Sequence, residues 1–155
     1  GDESAATQRA MIRVFVAGLE SSGNHWFRSV LKQHPELSVT GDSFPSGWCT
    51  LRHYPEFNPH DVLVIPSRDM TAHRSSVLRM GYEKDTDGRF TDAESVNLIA
   101  DAARQSPRAV FASYETALVY RQAYWDFLFR CIGVDPIKIE TEYKDGNVKY
   151  FKELC

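Results

Sequence analysis

The chain has 155 residues, 43% of them hydrophobic and 25% charged. At roughly 100–200 residues per domain this is one folded domain, too apolar for disorder and too short for an enzyme with a separate substrate domain. Eighteen Lys and Arg stand against 21 Asp and Glu, a net charge of −3, which argues against a protein held to nucleic acid by bulk charge.

Apolar runs are only a few residues long, so no membrane span is expected. Cys49, Cys131 and Cys155 fit neither a paired disulfide framework nor a zinc site. They read as free or buried thiols of a reducing compartment, and the expected location is cytoplasmic.

Residues 1–10 are small, polar and aperiodic, with no apolar core of a signal peptide, and read as a flexible arm before a single domain over 11–155. Ile12 to Gly18 is a β-rich run of the kind that makes a buried strand. Asn24–His34 reads as a helix with Phe27, Val30 and Leu31 on one face and Pro35 after it. Leu37–Thr40 reads as a short strand, Gly41–Gly47 as a loop and Cys49–Tyr54 as another short strand.

Val62–Pro66 is the clearest buried strand after the first, and a helix follows it to about Met80. Gly81–Phe90 is a polar excursion. Thr91 and Glu94 make a capping box for a helix over Asp92–Arg104, with Val96, Ile99, Ala100 and Ala103 inward. Ala109–Ala112 is the next strand, and Glu115–Ile132 one long helix capped by Gly133. A short strand at Pro136–Ile139 and an irregular tail complete the chain. Strands alternating with helices predict an α/β fold, a three-layer sandwich around a mainly parallel sheet. Ligands of such a sheet bind at the carboxyl ends of its strands.

The chemistry concentrates where the first strand meets the first helix. Gly18 to His25 (GLESSGNH) has the glycine spacing of a Walker A loop but carries Asn24 and His25 where Lys and Ser/Thr would follow. The backbone physics of a phosphate loop survives: glycines allow a tight turn, and the helix start offers unsatisfied N–H groups to an anion. The lysine charge and the hydroxyl for Mg²⁺ are missing, which disfavours a P-loop kinase. A plain strand-to-helix turn with two glycines is the competing reading.

Ser21-Ser22-Gly23-Asn24-His25-Trp26 resembles the 5′-phosphosulfate loop of sulfotransferases that use 3′-phosphoadenylyl sulfate (PAPS). The strand Val62–Pro66, then Arg68, then Ser76 eight residues on, resembles that family's 3′-phosphate motif. Ser113-Tyr114-Glu115 before a long helix ending at Ile132-Gly133 resembles a later segment, and His53-Tyr54-Pro55 the segment that carries the catalytic base.

The resemblance spans about Ile12–Val134, in order. It implies PAPS as co-substrate with no metal, and an acceptor hydroxyl or amine whose identity the sequence does not give. It also implies a nucleotide site built from Ser21, Ser22, Gly23, Asn24, His25, Trp26, Arg68, Ser76 and Tyr114. His53 would be the base, with His25 and Arg28 as further catalytic candidates. For His53 a surface histidine beside Tyr54 competes with that role, and for Arg28 an exposed helical arginine does.

Two departures stand out. Ser21 replaces the family's basic residue, and the C-terminal Arg-Lys-Gly motif is at best echoed by Tyr143-Lys144-Asp145-Gly146. A non-catalytic nucleotide-binding module of the same fold therefore stays open beside an enzyme whose site a partner or a large acceptor completes, and oligomerisation stays open as well.

Overall fold

The computed structural model describes residues 11–19, 23–43, 60–80 and 92–154, with side chains described at all of these but 42–43, 76–80, 92–95 and 152–154. The expected arm, the strand at Cys49–Tyr54, the polar excursion and the Thr91–Glu94 cap lie outside the described residues or side chains.

Four strands form one parallel sheet in the order β2-β1-β3-β4. They are β1 (Ile12–Gly18), β2 (Leu37–Ser43), β3 (Val62–Ser67) and β4 (Ala109–Ser113). The helices are α1 (Asn24–Leu31), α2 (Met70–Met80), α3 (Asp92–Gln105), α4 (Tyr114–Tyr120), α5 (Gln122–Ile132) and α6 (Val148–Leu154).

Both faces of the sheet are covered, which is why β1 and β3 are continuous apolar runs rather than alternating ones. On one face Val14, Val16, Val62 and Val64 meet Phe27, Val30 and Leu31 of α1 and Trp125, Leu128 and Phe129 of α5. On the other, Phe15, Ala17, Leu63 and Ile65 meet Ile99 and Ala102 of α3. The result is a three-layer α/β sandwich, as the alternation of elements predicts.

Several local expectations change. Gly41 continues β2 instead of opening a loop, because the parallel register runs unbroken from Ile12 beside Leu37 to Gly18 beside Ser43. Helix α1 stops at Leu31, short of His34. Val96 is 50% exposed. The buried stripe of α3 centres on Leu98, Ile99, Ala102 and Ala103, about a quarter turn away at 100° per residue.

The long helix expected over Glu115–Ile132 is two helices, divided at Arg121, whose backbone sits at φ 52° and ψ −121°. The break frees the Gln122 amide to read an extended segment: its Nε2 donates to the Ile137 carbonyl at 3.0 Å and its Oε1 accepts from Ile139 N at 2.9 Å. Pro136–Ile139 is therefore not a strand; a side chain satisfies it in place of a sheet neighbour. Gly133 does end α5, with φ 108° and its N–H bonded to the Phe129 carbonyl at 2.9 Å. The tail is not irregular: it forms α6, which buries Tyr150 and packs against α2. No helix among the described residues is long and apolar enough to cross a membrane.

Candidate functional site

In the order β2-β1-β3-β4, the chain leaves β1 toward one edge and later leaves β3 toward the other. The connections after β1 and β3 therefore diverge, and the crevice between them at the carboxyl ends is the topological switch point, where open α/β sheets bind ligands. The glycine loop and Arg68 are the two segments that leave those strand ends.

Close approach fixes the loop's first residue. A Cβ on Gly18 would lie 2.6 Å from Asn24 Oδ1 and 2.7 Å from the Pro66 carbonyl, so only glycine lets the end of β1 pass β3 and α1 this closely. Asn24, 3% exposed, pins the loop from its far side. Its Nδ2 donates to the Gly18 carbonyl at 3.1 Å and to the Leu19 carbonyl at 3.0 Å.

Gly23 is the N-cap of α1 at φ 88°, a left-handed conformation that glycine adopts without the Cβ penalty. Its carbonyl accepts the first helical bond, from Phe27 N at 3.0 Å. Gly23 has no side chain and so supplies the first turn of α1 with no side-chain cap. The N–H groups of a helix's first turn and its dipole favour an anion at such an end.

His25 is exposed and one turn from Arg28. Arg28 Nη2 donates to His25 Nδ1 at 2.7 Å, and Nη1 donates to the Gly41 carbonyl at 2.7 Å. A guanidinium only donates, so His25 Nδ1 accepts and the ring proton sits on Nε2. The two candidates are thus brought together, with Arg28 tied to the end of β2.

Trp26 lies in an aromatic cluster, edge-on to Tyr114, Trp125 and Tyr143 at centroid separations of 5.5, 5.2 and 6.1 Å. Its Nε1 donates to Thr141 Oγ1 at 2.8 Å. Trp26 and Tyr114 form the aromatic part of a cavity of about 410 Å³, completed by Thr141, Glu142 and Lys144. Lys144 Nζ and Glu142 Oε2 pair at 3.1 Å on its rim.

Tyr114 links the two halves of the site. A Cβ on Gly23 would lie 3.0 Å from Tyr114 Cδ2, and the Arg68 guanidinium carbon stands 4.9 Å from the centre of the same ring. The Tyr114 hydroxyl donates to the Lys144 carbonyl at 3.1 Å and accepts from Gly146 N at 3.0 Å. Arg68 Nε donates to Asn147 Oδ1 at 2.6 Å.

The segment 144–147 therefore closes over Tyr114 and Arg68. Sequence reasoning reached Tyr143–Gly146 as a weak echo of a motif and missed Thr141 and Asn147. The one signal for the latter is the turn-forming run Asp145-Gly146-Asn147.

Of the residues expected at the site, Gly23, Asn24, His25, Trp26, Arg28, Arg68 and Tyr114 cluster at the carboxyl end of the sheet. Ser21, Ser22 and His53 lie outside the described residues. Ser76 is in α2, with its side chain outside them. Neither family models nor curated proteins match the sequence.

Proposed function

We propose that the crevice between the ends of β1 and β3 binds a nucleotide phosphorylated at two positions, and that the protein uses PAPS there as a sulfuryl donor. One observation carries the reading. The switch point sets a glycine-capped helix start and an arginine against the same ring, Tyr114, so two anionic groups of one ligand can be held at once.

In this reading the amides of Ser22–His25 take the 5′-phosphosulfate. Arg68, with Ser76, takes the 3′-phosphate as a fork. The cavity beside Trp26 and Tyr114 accepts the planar base, and its volume of about 410 Å³ is in the range of small-ligand sites.

Transfer is in line. The acceptor oxygen or nitrogen forms a bond to sulfur as the bond from sulfur to the bridging oxygen breaks, and 3′,5′-adenosine bisphosphate leaves. His53 removes the acceptor proton, and positioned donors offset the charge that develops.

A second reading, the same site without turnover, draws on Arg28. The cation that would offset charge on the leaving oxygen is bonded to Gly41 and His25.

Thermal unfolding with added nucleotide tests the binding claim. At a ligand concentration 100 times its Kd, 3′,5′-adenosine bisphosphate stabilises the fold by about 2.7 kcal/mol, a rise of about 5–11 °C for a domain of this size. Stabilisation by ATP–Mg²⁺ alone overturns the reading. A transfer assay comparing wild type with His53→Ala then separates enzyme from binding module. Sulfuryl transfer that depends on His53 supports the enzyme, and its absence in wild type supports the module.

A further inference from the structure

Arg68 is held in place by a side chain from the far end of the chain. Asn147 is 2% exposed, and its Oδ1 accepts from Arg68 Nε at 2.6 Å. Its Nδ2 donates to Glu115 Oε2 at 2.8 Å, while the other oxygen of that carboxylate accepts from Asp69 N at 2.8 Å. Glu115 thus joins the backbone just after Arg68 to the amide that grips Arg68.

The Asn147 main chain is fixed as well. Its N–H donates to Asp145 Oδ1 at 2.9 Å, and its carbonyl accepts from Tyr150 and Phe151 at the start of α6, at 3.0 and 3.1 Å. Tyr114 and Tyr150 lie 4.9 and 5.6 Å from the guanidinium carbon. Plane and rotation of the guanidinium are both restrained.

The acceptor is an amide, and that choice has a chemical consequence. An amide oxygen orients a guanidinium without contributing a negative charge of its own. A carboxylate in the same place would compete with a phosphate for the cation. The structural carboxylate, Glu115, acts one residue further back, through Asn147.

We propose that Asn147 is a positioning residue that sets Arg68 to select nucleotides carrying a 3′-phosphate. This rests on the assignment of Arg68 to that phosphate.

The test is calorimetric titration of the whole chain with 3′,5′-adenosine bisphosphate and with 5′-AMP, read as the ratio of the two affinities. Wild type prefers the bisphosphate by at least about tenfold, the factor expected of one hydrogen-bonded charged contact. Asn147→Ala brings that ratio close to one.

Asn147→Asp keeps the volume and the acceptor oxygen, so it stands in where the alanine variant fails to fold. It also brings the ratio close to one, because its carboxylate competes for Arg68. A purely structural role for Asn147 would weaken both ligands together and leave the ratio unchanged. An unchanged ratio in either folded variant overturns the proposal while the wild-type preference keeps the nucleotide site. A wild-type ratio near one removes the assignment of Arg68, and the proposal with it.

Discussion

Replacing Asn24 with alanine is expected to loosen the glycine loop at a measurable cost to the whole domain. The Asn24 amide donates to two carbonyls, Gly18 at 3.1 Å and Leu19 at 3.0 Å, the first of these bonds buried and the second partly buried. An acceptor left without its donor in such a place costs about 1–3 kcal/mol. Leu19 can recover some hydration, so the sum is about 2–4 kcal/mol. At about 2–4 °C per kcal/mol for this length, Tm falls by about 4–16 °C.

Asn24→Asp sharpens the test because it preserves shape and reverses the hydrogen-bonding role. Its carboxylate would face two carbonyl oxygens, which favours the protonated form and raises the carboxyl pKa above the unfolded value of about 3.9. Relative to wild type, that variant is therefore most stable below the unfolded pKa and loses stability as pH rises through the folded one. Urea unfolding measured across acid pH reads both effects. An alanine variant within about 0.5 kcal/mol of wild type, or an aspartate variant that gains stability relative to wild type from acid to neutral pH, would refute the pinning role.

Two further expectations concern the frame around the site. Burial holds the Tyr124 phenol above its ordinary pKa, although its oxygen accepts from Ser113 N at 2.7 Å. Its contribution is complete below the unfolded pKa of about 10 and is lost as pH rises through the folded value. Tyr124→Phe should thus lower stability at neutral pH by about 1 kcal/mol for the lost bond and flatten the decline in alkaline unfolding curves. At the opposite end of the sheet, the hydrogen bond from the Arg13 side chain holds the Asp61 carboxyl below the usual carboxylate range. That contribution is present above the unfolded pKa and lost as pH falls through the folded one. Arg13→Gln should return the Asp61 titration, followed by NMR, toward its ordinary value with little change in neutral Tm, since both side chains are substantially exposed.

What the sequence disclosed follows the range of the interactions involved. The runs of β1 and β3 are apolar because both faces of their sheet are covered, and that pattern is local and readable. The loop from Gly18 to Asn24 is also local: glycine spacing and a helix start announce it.

The break at Arg121 has no such signal. It goes with the pairing of Gln122 with backbone at Ile137 and Ile139, contacts that exist only after folding. Asn147 was hidden for the same reason, since its partners Arg68 and Glu115 lie 79 and 32 residues away in sequence. The helix Val148–Leu154 is short, and its inward residue Tyr150 carries little weight in a pattern of so few turns.

Nucleotide binding between the ends of β1 and β3 is read residue by residue in a backbone and arginine Nε NMR titration with 3′,5′-adenosine bisphosphate. Saturable shifts are expected, largest at the amides of Gly23, Asn24, His25 and Trp26 and at Arg68 Nε, at the carboxyl ends of β1 and β3. Shifts confined to the opposite end of the sheet, around Arg13 and Asp61, or none at saturating ligand, would contradict it.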